Sequence, residues 1–333
     1  MFFKYRHIAK PCPLAASLFP THTTFLSMTT YQSRLDNFPE IDIYKSNLQN
    51  LQGFDLTNFS QNEISDIVYK NAILIPNVFA TINQIGFNGA CYYRVRKNIN
   101  STKEDLTKTK TFSYPEPCYC KENGRANIKN TSVFYCSDVA ATSLLETKVE
   151  QNDTFYLSIW KPYVDRDVKA ASYCKKVKRV EDATIREIEL LKPLDKQISS
   201  SGQDKTEHLN YLNDFIADHF IKEKKPYSIT SWLSNNILYK QKSADCIIYP
   251  SFETSSNFCN IAFHPNFVDR YLKFDKVIKL ETKITDNRYL NYSLNEIGEF
   301  NSTKIEWRNL TEQEKVNYHS IIKKGEELIN FKP

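Results

Sequence analysis

The sequence predicts an α+β fold in which mixed, largely antiparallel sheets are flanked by helices. Short apolar or alternating runs such as YYRVR, VFYC and IIYP are typical of strands. Other segments, such as TEHLNYLNDFIADHF, carry apolar residues at helical spacing. No internal repeat is visible, and this mixture of short strands with helices at the side is typical of α+β proteins.

The amino-acid composition limits the classes of function that we expect for this protein. The 333 residues suffice for one elaborated domain or two small ones. Lys and Arg number 44 against 39 Asp and Glu, and they form no arginine-rich arm, so we expect no clear nucleic-acid surface. Only 7 glycines occur, without a P-loop or GxGxxG motif. No run of about 18 apolar residues occurs, so we expect a soluble protein without a membrane partner. The cysteine pattern, described next, predicts that the protein is cytoplasmic.

The cysteine and histidine patterns do not predict a metal site. The eight cysteines fit neither a zinc pattern nor a compact disulfide framework, and we interpret them as reduced core thiols. Cys118 and Cys120 are the only close pair, without a second pair or a nearby histidine. The six histidines form no HExxH motif and no cluster, so we expect no metal.

The N-terminal part divides into two predicted segments. Residues 1–28 carry no acidic residue and one short apolar patch, which predicts a disordered arm or a start-site artefact. Residues 29–88 are predicted to form a helical extension, because SQNEISDIVYKNAILIPNVFATINQIGF has helix-like spacing. Within it, Ser60 and Glu63 have the spacing of a capping box.

Residues 89–282 are predicted to form the central domain. CYYRVRK is a strand, TFSYPEPCYCKENGRANIKN a loop, VFYC a strand, SDVAATSLLETKV a helix and TFYLSIWKP a strand. Residues 165–206 have little apolar periodicity and suit a surface insertion. Two helices follow, and ADCIIYPS, NFCNIAFHP and KVIKLET then predict strands, with a helix at PNFVDRYLK.

Residues 283–333 are predicted to form a C-terminal extension of strand and helix. Their first part is rich in strand-like aromatic sequence. The final helix should begin after Leu310, where Thr311 and Glu314 have the spacing of a capping box.

One carboxylate in the central domain needs an explanation, because Glu146 directly follows Leu144 and Leu145 in the predicted helix. A solvent-facing residue near the helix end would be the ordinary interpretation of Glu146 alone. Taken in order, however, YYRVR, GRAN, VFYCSDVAATSLLE and ADCIIYPSFETSSNFCNIAF resemble the RES domain, a family named for an Arg, a Glu and a Ser that meet in one pocket. The resemblance covers roughly residues 90–280.

The resemblance implies a fold and an activity. The family's fold is similar to that of ADP-ribosyltransferases, and its characterised members are similar to toxins that consume NAD or transfer ADP-ribose, often paired with an antitoxin. It therefore implies that NAD is the substrate, with inorganic phosphate as a second substrate if the reaction is phosphorolysis. An antitoxin protein would be the partner.

The same resemblance implies site residues. The named Arg, Glu and Ser fall on Arg94, Glu146 and Ser251, which would be the catalytic set. The implied binding residues are Gly124, Arg125, Asn127 and Tyr135. Tyr93 is predicted to join them as a second aromatic ring for stacking. Arg94 and Arg96 alternate with Val95 on one predicted strand, so Arg96 is the alternative to Arg94. Without the resemblance, either arginine would be interpreted as an ordinary exposed strand residue.

Physical chemistry explains why NAD cleavage needs these residue types. Breaking the nicotinamide–ribose bond spreads positive charge over C1 and the ring oxygen, which the carboxylate of Glu146 would stabilise. Guanidinium groups match phosphate oxygens, so Arg94 and Arg125 suit the pyrophosphate, or one of them an incoming phosphate. No base is evident that would make Ser251 a nucleophile, so we assign it positioning. The aromatic rings of Tyr135 and Tyr93 would stack on a base.

Two alternatives stay open. The protein would be an ADP-ribosyltransferase acting on a protein or nucleic-acid target, or a module that binds a nucleotide or partner without turnover. The loop NGRAN departs from many relatives, which carry a second Gly and an aromatic after the Arg, and this keeps the binding module open. The segments outside residues 89–282 would serve as an inhibitor, a homodimer surface or a target-recognition element.

Overall fold

A computed structural model describes residues 35–330, except 57, 74–78, 149, 151, 175–201 and 287–288. Within these residues the chain forms eight α-helices and two five-stranded sheets, one mixed and one antiparallel. The predicted α+β class is confirmed. Residues 1–34, which include the predicted disordered arm, lie outside the described residues.

The helices and strands have the following bounds. The helices are α1 Ile41–Gly53, α2 Gln61–Ala72, α3 Gln84–Asn88, α4 Ala140–Glu146, α5 Gln203–Lys222, α6 Ser228–Asn235, α7 Pro265–Tyr271 and α8 Glu312–Asn330. The strands are β1 Phe79–Ile82, β2 Tyr92–Lys97, β3 Phe134–Cys136, β4 Thr154–Pro162, β5 Val168–Ser172, β6 Cys246–Pro250, β7 Cys259–Phe263, β8 Leu272–Asp286, β9 Tyr289–Phe300 and β10 Ile305–Asn309.

The mixed sheet has the strand order β1-β5-β6-β7-β3, and only β5 and β6 pair in parallel. Every residue of β6 and β7 is buried, as expected for continuous apolar runs that are covered on both faces. Ile247 and Tyr249 pack with α5 and α6 on one face, whereas Cys246 and Ile248 pack on the other. This alternation follows the period of two along a strand.

The antiparallel sheet has the order β10-β9-β8-β4-β2 and supports the helix that ends at Glu146. Leu144 of α4 belongs to a buried cluster with Phe155 and Leu157 of β4 and Ile322 of α8. The C-terminal helix therefore packs in the same core as α4.

The two sheets meet where β2 approaches the end of β3. The Tyr93 N–H donates to the Ser137 carbonyl at 2.7 Å, and the Ser137 N–H donates to the Tyr93 carbonyl at 3.0 Å. This junction places the side chains of β2, β3 and α4 around one space between the sheets.

Both predicted capping boxes form. The Ser60 hydroxyl accepts from the Glu63 N–H while the Glu63 carboxylate accepts from the Ser60 N–H. Thr311 and Glu314 make the same reciprocal pair at the start of α8. These short local signals depend only on neighbouring residues, which is why the sequence predicts them well.

Two predicted segments need correction. Residues 29–88 are not purely helical, because residues 79–82 form β1 at the edge of the mixed sheet. The surface insertion of 165–206 is wrong for residues 168–172, which form β5 between β1 and β6 with four of its five residues buried. The run VKAAS has small residues and a lysine, so its apolar signal is weak and its burial comes from strand pairing. Residues 175–201 of the predicted insertion lie outside the described residues.

Candidate active site

Five of the eight predicted site residues line one cleft of about 280 Å³ at the junction of the sheets. They are Arg94, Gly124, Arg125, Tyr135 and Glu146. This volume lies near the lower end of the range for small-molecule sites in proteins, roughly 300–1,000 Å³. The cleft is therefore large enough to enclose part of a nucleotide.

Glu146 is the last residue of α4, and its carboxylate is held by two neighbours. Its Oε1 accepts a hydrogen bond from the Ser251 hydroxyl at 2.5 Å and another from Asn260 Nδ2 at 2.8 Å. No described residue donates a hydrogen bond to Oε2. The side chain is thus half-buried and fixed at the wall of the cleft.

Ser251 supports Glu146 from behind the cleft. Its side chain has 0% exposure, and its N–H donates to the Phe258 carbonyl at 2.8 Å. Its hydroxyl oxygen also accepts from the Thr254 N–H at 3.3 Å. A tight loop therefore holds Ser251 at the end of β6, and its contact with Glu146 fits the predicted positioning role.

Arg94 reaches the cleft from β2 and is anchored by backbone carbonyls. Its Nε donates to the Ser113 carbonyl at 3.2 Å and its Nη1 donates to the Tyr135 carbonyl at 2.9 Å. Burial, with a smaller effect from Arg96, lowers the pKa of Arg94 to about 10. Its guanidinium therefore stays charged at neutral pH in a largely desolvated place, where an anion would be attracted strongly.

Arg96, the alternative to Arg94, does not line the cleft. Its Nη1 lies 2.6 Å from a carboxylate oxygen of Glu104, and its Nη2 donates to the other oxygen at 3.1 Å. Nη1 also donates to the Thr111 carbonyl. The Arg96 guanidinium thus forms a two-point ion pair, and of the two arginines it is Arg94 that lines the cleft.

The loop that carries Arg125 is closed by Tyr135. The Tyr135 hydroxyl accepts from the Ala126 N–H at 2.8 Å and donates to Asn127 Oδ1 at 2.8 Å. A Cβ on Gly124 would lie 2.6 Å from the Tyr135 hydroxyl oxygen, so this close approach requires glycine. The loop is therefore built around the hydroxyl of Tyr135, and the ring of the same residue faces the cleft.

Arg125 is held at the opposite side of its loop. Its Nη1 donates to the Glu223 carbonyl at 3.0 Å, and its Cζ lies 4.7 Å from the centre of the Tyr227 ring. Tyr227 has a left-handed backbone, with φ of 56°, which is uncommon for an aromatic residue and is found often at functional sites. In the described part of the chain, neither Arg94 nor Arg125 forms an ion pair with a carboxylate.

Three predicted residues do not line the cleft. Tyr93 packs in the core beside α4 and α8, and burial raises its pKa to about 12. Its side chain leaves β2 on the opposite face from Arg94, because successive residues of a strand alternate. The Asn127 side chain is buried and donates to the carbonyls of Ile128 and Thr131, so its role is to shape the loop. Ser251 is buried behind the cleft wall, where its hydroxyl donates to the Glu146 carboxylate.

The cleft also contains residues that the sequence did not predict as ligands. They include Asn260, Tyr227 and Tyr249. Asn260 could have been found from the sequence, because it is a single amide within the apolar run FCNIAF. A polar side chain in a buried strand needs a partner. Tyr249 precedes the predicted Ser251 by two residues, and nothing in the sequence around Tyr227 distinguishes it from a core aromatic.

The described part of the chain has neither a metal-binding cluster nor a membrane-spanning helix. Among the described residues, no group of three or more His, Cys, Asp or Glu side chains could hold a metal ion. The described cysteines are free thiols, and none of the described helices is long and apolar enough to cross a membrane.

Comparison with known proteins identifies a family. Neither a curated protein nor a solved structure matches the chain. The RES domain matches residues 92–278, which is more than half of the chain and includes all eight predicted site residues. The protein belongs to the RES domain family.

Proposed function

We propose that this protein is an enzyme that cleaves the bond between nicotinamide and ribose in NAD, by phosphorolysis or hydrolysis. The observation that carries the proposal is the combination of one fixed carboxylate with two arginines in the same cleft. Glu146 is held through Oε1, and Arg94 and Arg125 have no carboxylate partner among the described residues. Membership of a family that consumes NAD supports the same assignment.

The carboxylate would act where positive charge develops. As the bond between ribose C1 and the nicotinamide nitrogen breaks, its electron pair leaves with nicotinamide and the ribose becomes oxocarbenium-like. Glu146 would stabilise that charge and accept a hydrogen bond from a ribose hydroxyl. The oxygen of water or phosphate would then form the new bond to C1, releasing ADP-ribose or its 1-phosphate.

The arginines would bind the negative part of the substrate. Arg94 is fixed by two carbonyl acceptors and Arg125 by a carbonyl and an aromatic ring, so both guanidinium groups are oriented before a ligand arrives. Their remaining N–H groups suit the pyrophosphate, or one of them an incoming phosphate. Tyr135 and Tyr227 provide ring surface in the same cleft.

A second candidate is transfer of ADP-ribose to a macromolecule. It is favoured by Phe252, which follows Ser251 directly and is 51% exposed. Glu253, the next residue, forms an ion pair of 3.1 Å with Lys148, two residues after Glu146. This loop therefore places an exposed aromatic ring near the end of α4 in space, where it would contact an acceptor.

The family context also suggests a partner and a setting. Members are often paired with an antitoxin, so we propose that a second protein inhibits this one in the cytoplasm. We further propose that residues 89–282 carry the activity, while 29–88 and 283–333 serve as support or as the surface for that inhibitor or a homodimer.

The test is nicotinamide release from NAD by the purified full-length protein, with and without phosphate. Glu146→Gln keeps the side-chain shape and removes the charge, so it should abolish release. Glu150→Gln changes a carboxylate on the exposed residue four positions later and should leave the rate unchanged. Equal turnover by wild type and Glu146→Gln would refute the site. Label from NAD appearing on a macromolecule would favour the second candidate, and binding without release would favour a binding module.

A further inference from the structure

Asn260 lies in a buried position, where an amide lowers the stability of the fold unless its polar atoms form hydrogen bonds. It is the second residue of β7, a strand in which every residue is buried, and its own exposure is 8%. An amide taken from water into such a place costs free energy unless its polar atoms find partners. The partner here is Glu146, whose Oε1 accepts from Nδ2 at 2.8 Å.

The strand register explains how two donors reach the same oxygen. Asn260 lies opposite Tyr249 in the pairing of β7 with β6, and Ser251 follows directly after β6. Neighbouring strands therefore present an amide and a hydroxyl side by side to Glu146. The hydroxyl contact is 2.5 Å and the amide contact 2.8 Å, and both end at Oε1.

We propose that Asn260 is a positioning residue, which together with Ser251 keeps Oε1 of Glu146 bound to the protein so that Oε2 is the oxygen presented to the substrate. The proposal rests on the proposed function, since it assigns Oε2 to the ribose of NAD. It adds a fourth member to the Arg, Glu and Ser for which the family is named. A carboxylate held by one donor could rotate about its terminal bond, whereas two donors from different strands fix its plane.

Other titratable and charged groups face Glu146 across the cleft, and their charges influence any measurement on Glu146 that is made against pH. They are Arg94 on β2, Arg125 on its loop, Tyr135 and Cys136 on β3, Tyr249 on β6, and Tyr227 before α6. None of them is changed by substitution at position 260. A pH effect of that substitution can therefore be assigned to the pair of side chains at 260 and 146.

Two substitutions separate positioning from packing. Asn260→Asp keeps the shape but replaces the donor by a second carboxyl group in contact with Glu146, and two such groups cannot both ionise easily. Asn260→Leu removes the donor without adding charge. A residue that served only to fill space would tolerate Leu well, and Asn260→Leu would then leave both the titration of Glu146 and turnover unchanged, whereas the new carboxyl group of Asn260→Asp would affect Glu146 in either case.

The first measurement does not need turnover. In full-length protein with carboxyl-labelled glutamate, the Glu146 resonance is assigned by its loss in Glu146→Gln and followed against pH by NMR. We expect the Glu146 titration curve of Asn260→Leu to differ from that of wild type, because Leu removes a donor to the charged carboxylate without adding a charge. Coincident titration curves for Asn260→Leu and wild type would overturn the proposal, whether or not the protein cleaves NAD.

The second measurement is steady-state nicotinamide release. Losing a hydrogen bond to a charged group should lower kcat of Asn260→Leu by about 10- to 100-fold while KM for NAD changes by less than about twofold. The acid limb of the Asn260→Asp rate profile should move to higher pH. Wild-type kcat in Asn260→Leu would overturn the proposal, whereas the absence of turnover in wild type would refute the proposed function and leave the NMR result to decide on Asn260.

Discussion

Replacing Tyr135 by phenylalanine should destabilise the fold and loosen the loop that carries Arg125. The substitution removes one oxygen atom and leaves the ring in the cleft. That oxygen accepts from the Ala126 N–H and donates to Asn127 Oδ1, each at 2.8 Å. Ala126 and Asn127 are buried, with exposures of 1% and 6%, so both would lose a partner in a place with little water.

The expected size follows from these two groups. A buried donor or acceptor left without a partner costs about 1 to 3 kcal/mol, so the pair would cost about 2 to 6 kcal/mol. Tyr135 lines an open cleft, and a water molecule entering there could replace part of the lost bonding. We therefore expect the free energy of unfolding to fall by about 2 kcal/mol.

The assay is urea unfolding of the full-length protein followed by circular dichroism. Tyr227→Phe is the matched control, because its ring faces the same cleft and its hydroxyl makes no hydrogen bond to a described residue. The control should change the free energy of unfolding by less than about 0.5 kcal/mol. If Tyr135→Phe is as stable as Tyr227→Phe, the hydroxyl does not hold the loop and the reasoning is wrong.

Three further changes test other parts of the structure. Gly124→Ala would place a Cβ 2.6 Å from the Tyr135 hydroxyl oxygen, so thermal unfolding should occur at lower temperature, with a loss of about 1 to 3 kcal/mol. Leu144→Ala would leave a cavity under α4, where Leu144 has 0% exposure, and urea unfolding should show a loss of about 2 to 5 kcal/mol together with reduced turnover. Hydrogen bonding to Arg308 lowers the pKa of Glu314 from 4.5 to about 2, so this carboxylate stabilises the fold above pH 4.5 and loses that effect as the pH falls towards 2. Glu314→Gln should therefore lower Tm at pH 7, and the difference from wild type should vanish in scans across that acid range.

The sequence predicts those strands whose own residues are mostly apolar. β6 and β7 are continuous apolar runs, and both were predicted with nearly their observed bounds. β5 was missed because VKAAS is buried by its neighbours on both sides and not by its own apolar pattern. β1 was missed because its apolar residues also fit the helical spacing of the segment before it.

The site was predictable where residue type and chemistry coincide. Arg94, Arg125 and Glu146 are types that bind phosphate or stabilise a cation, and the order of their motifs resembles a family, so they could be placed in one cleft without a structure. The role of Asn260 required knowing that β7 lies beside β6, which is a long-range pairing. The exclusion of Tyr93 required knowing which face of β2 meets the cleft.

The matched residues 92–278 should not fold by themselves, because both ends fall in strands of the antiparallel sheet and the fragment lacks strands of both sheets. Position 278 lies in the middle of β8, so the fragment loses β9 and β10 and exposes the edge of β8. It also loses β1 from the edge of β5, and Ile322 from the core beneath α4. We expect the fragment to show no cooperative thermal transition, whereas residues 35–330 should unfold cooperatively. A fragment that melts like the longer chain would show that the outer strands and α8 are dispensable for the fold, and their function would then have to lie in contact with a partner.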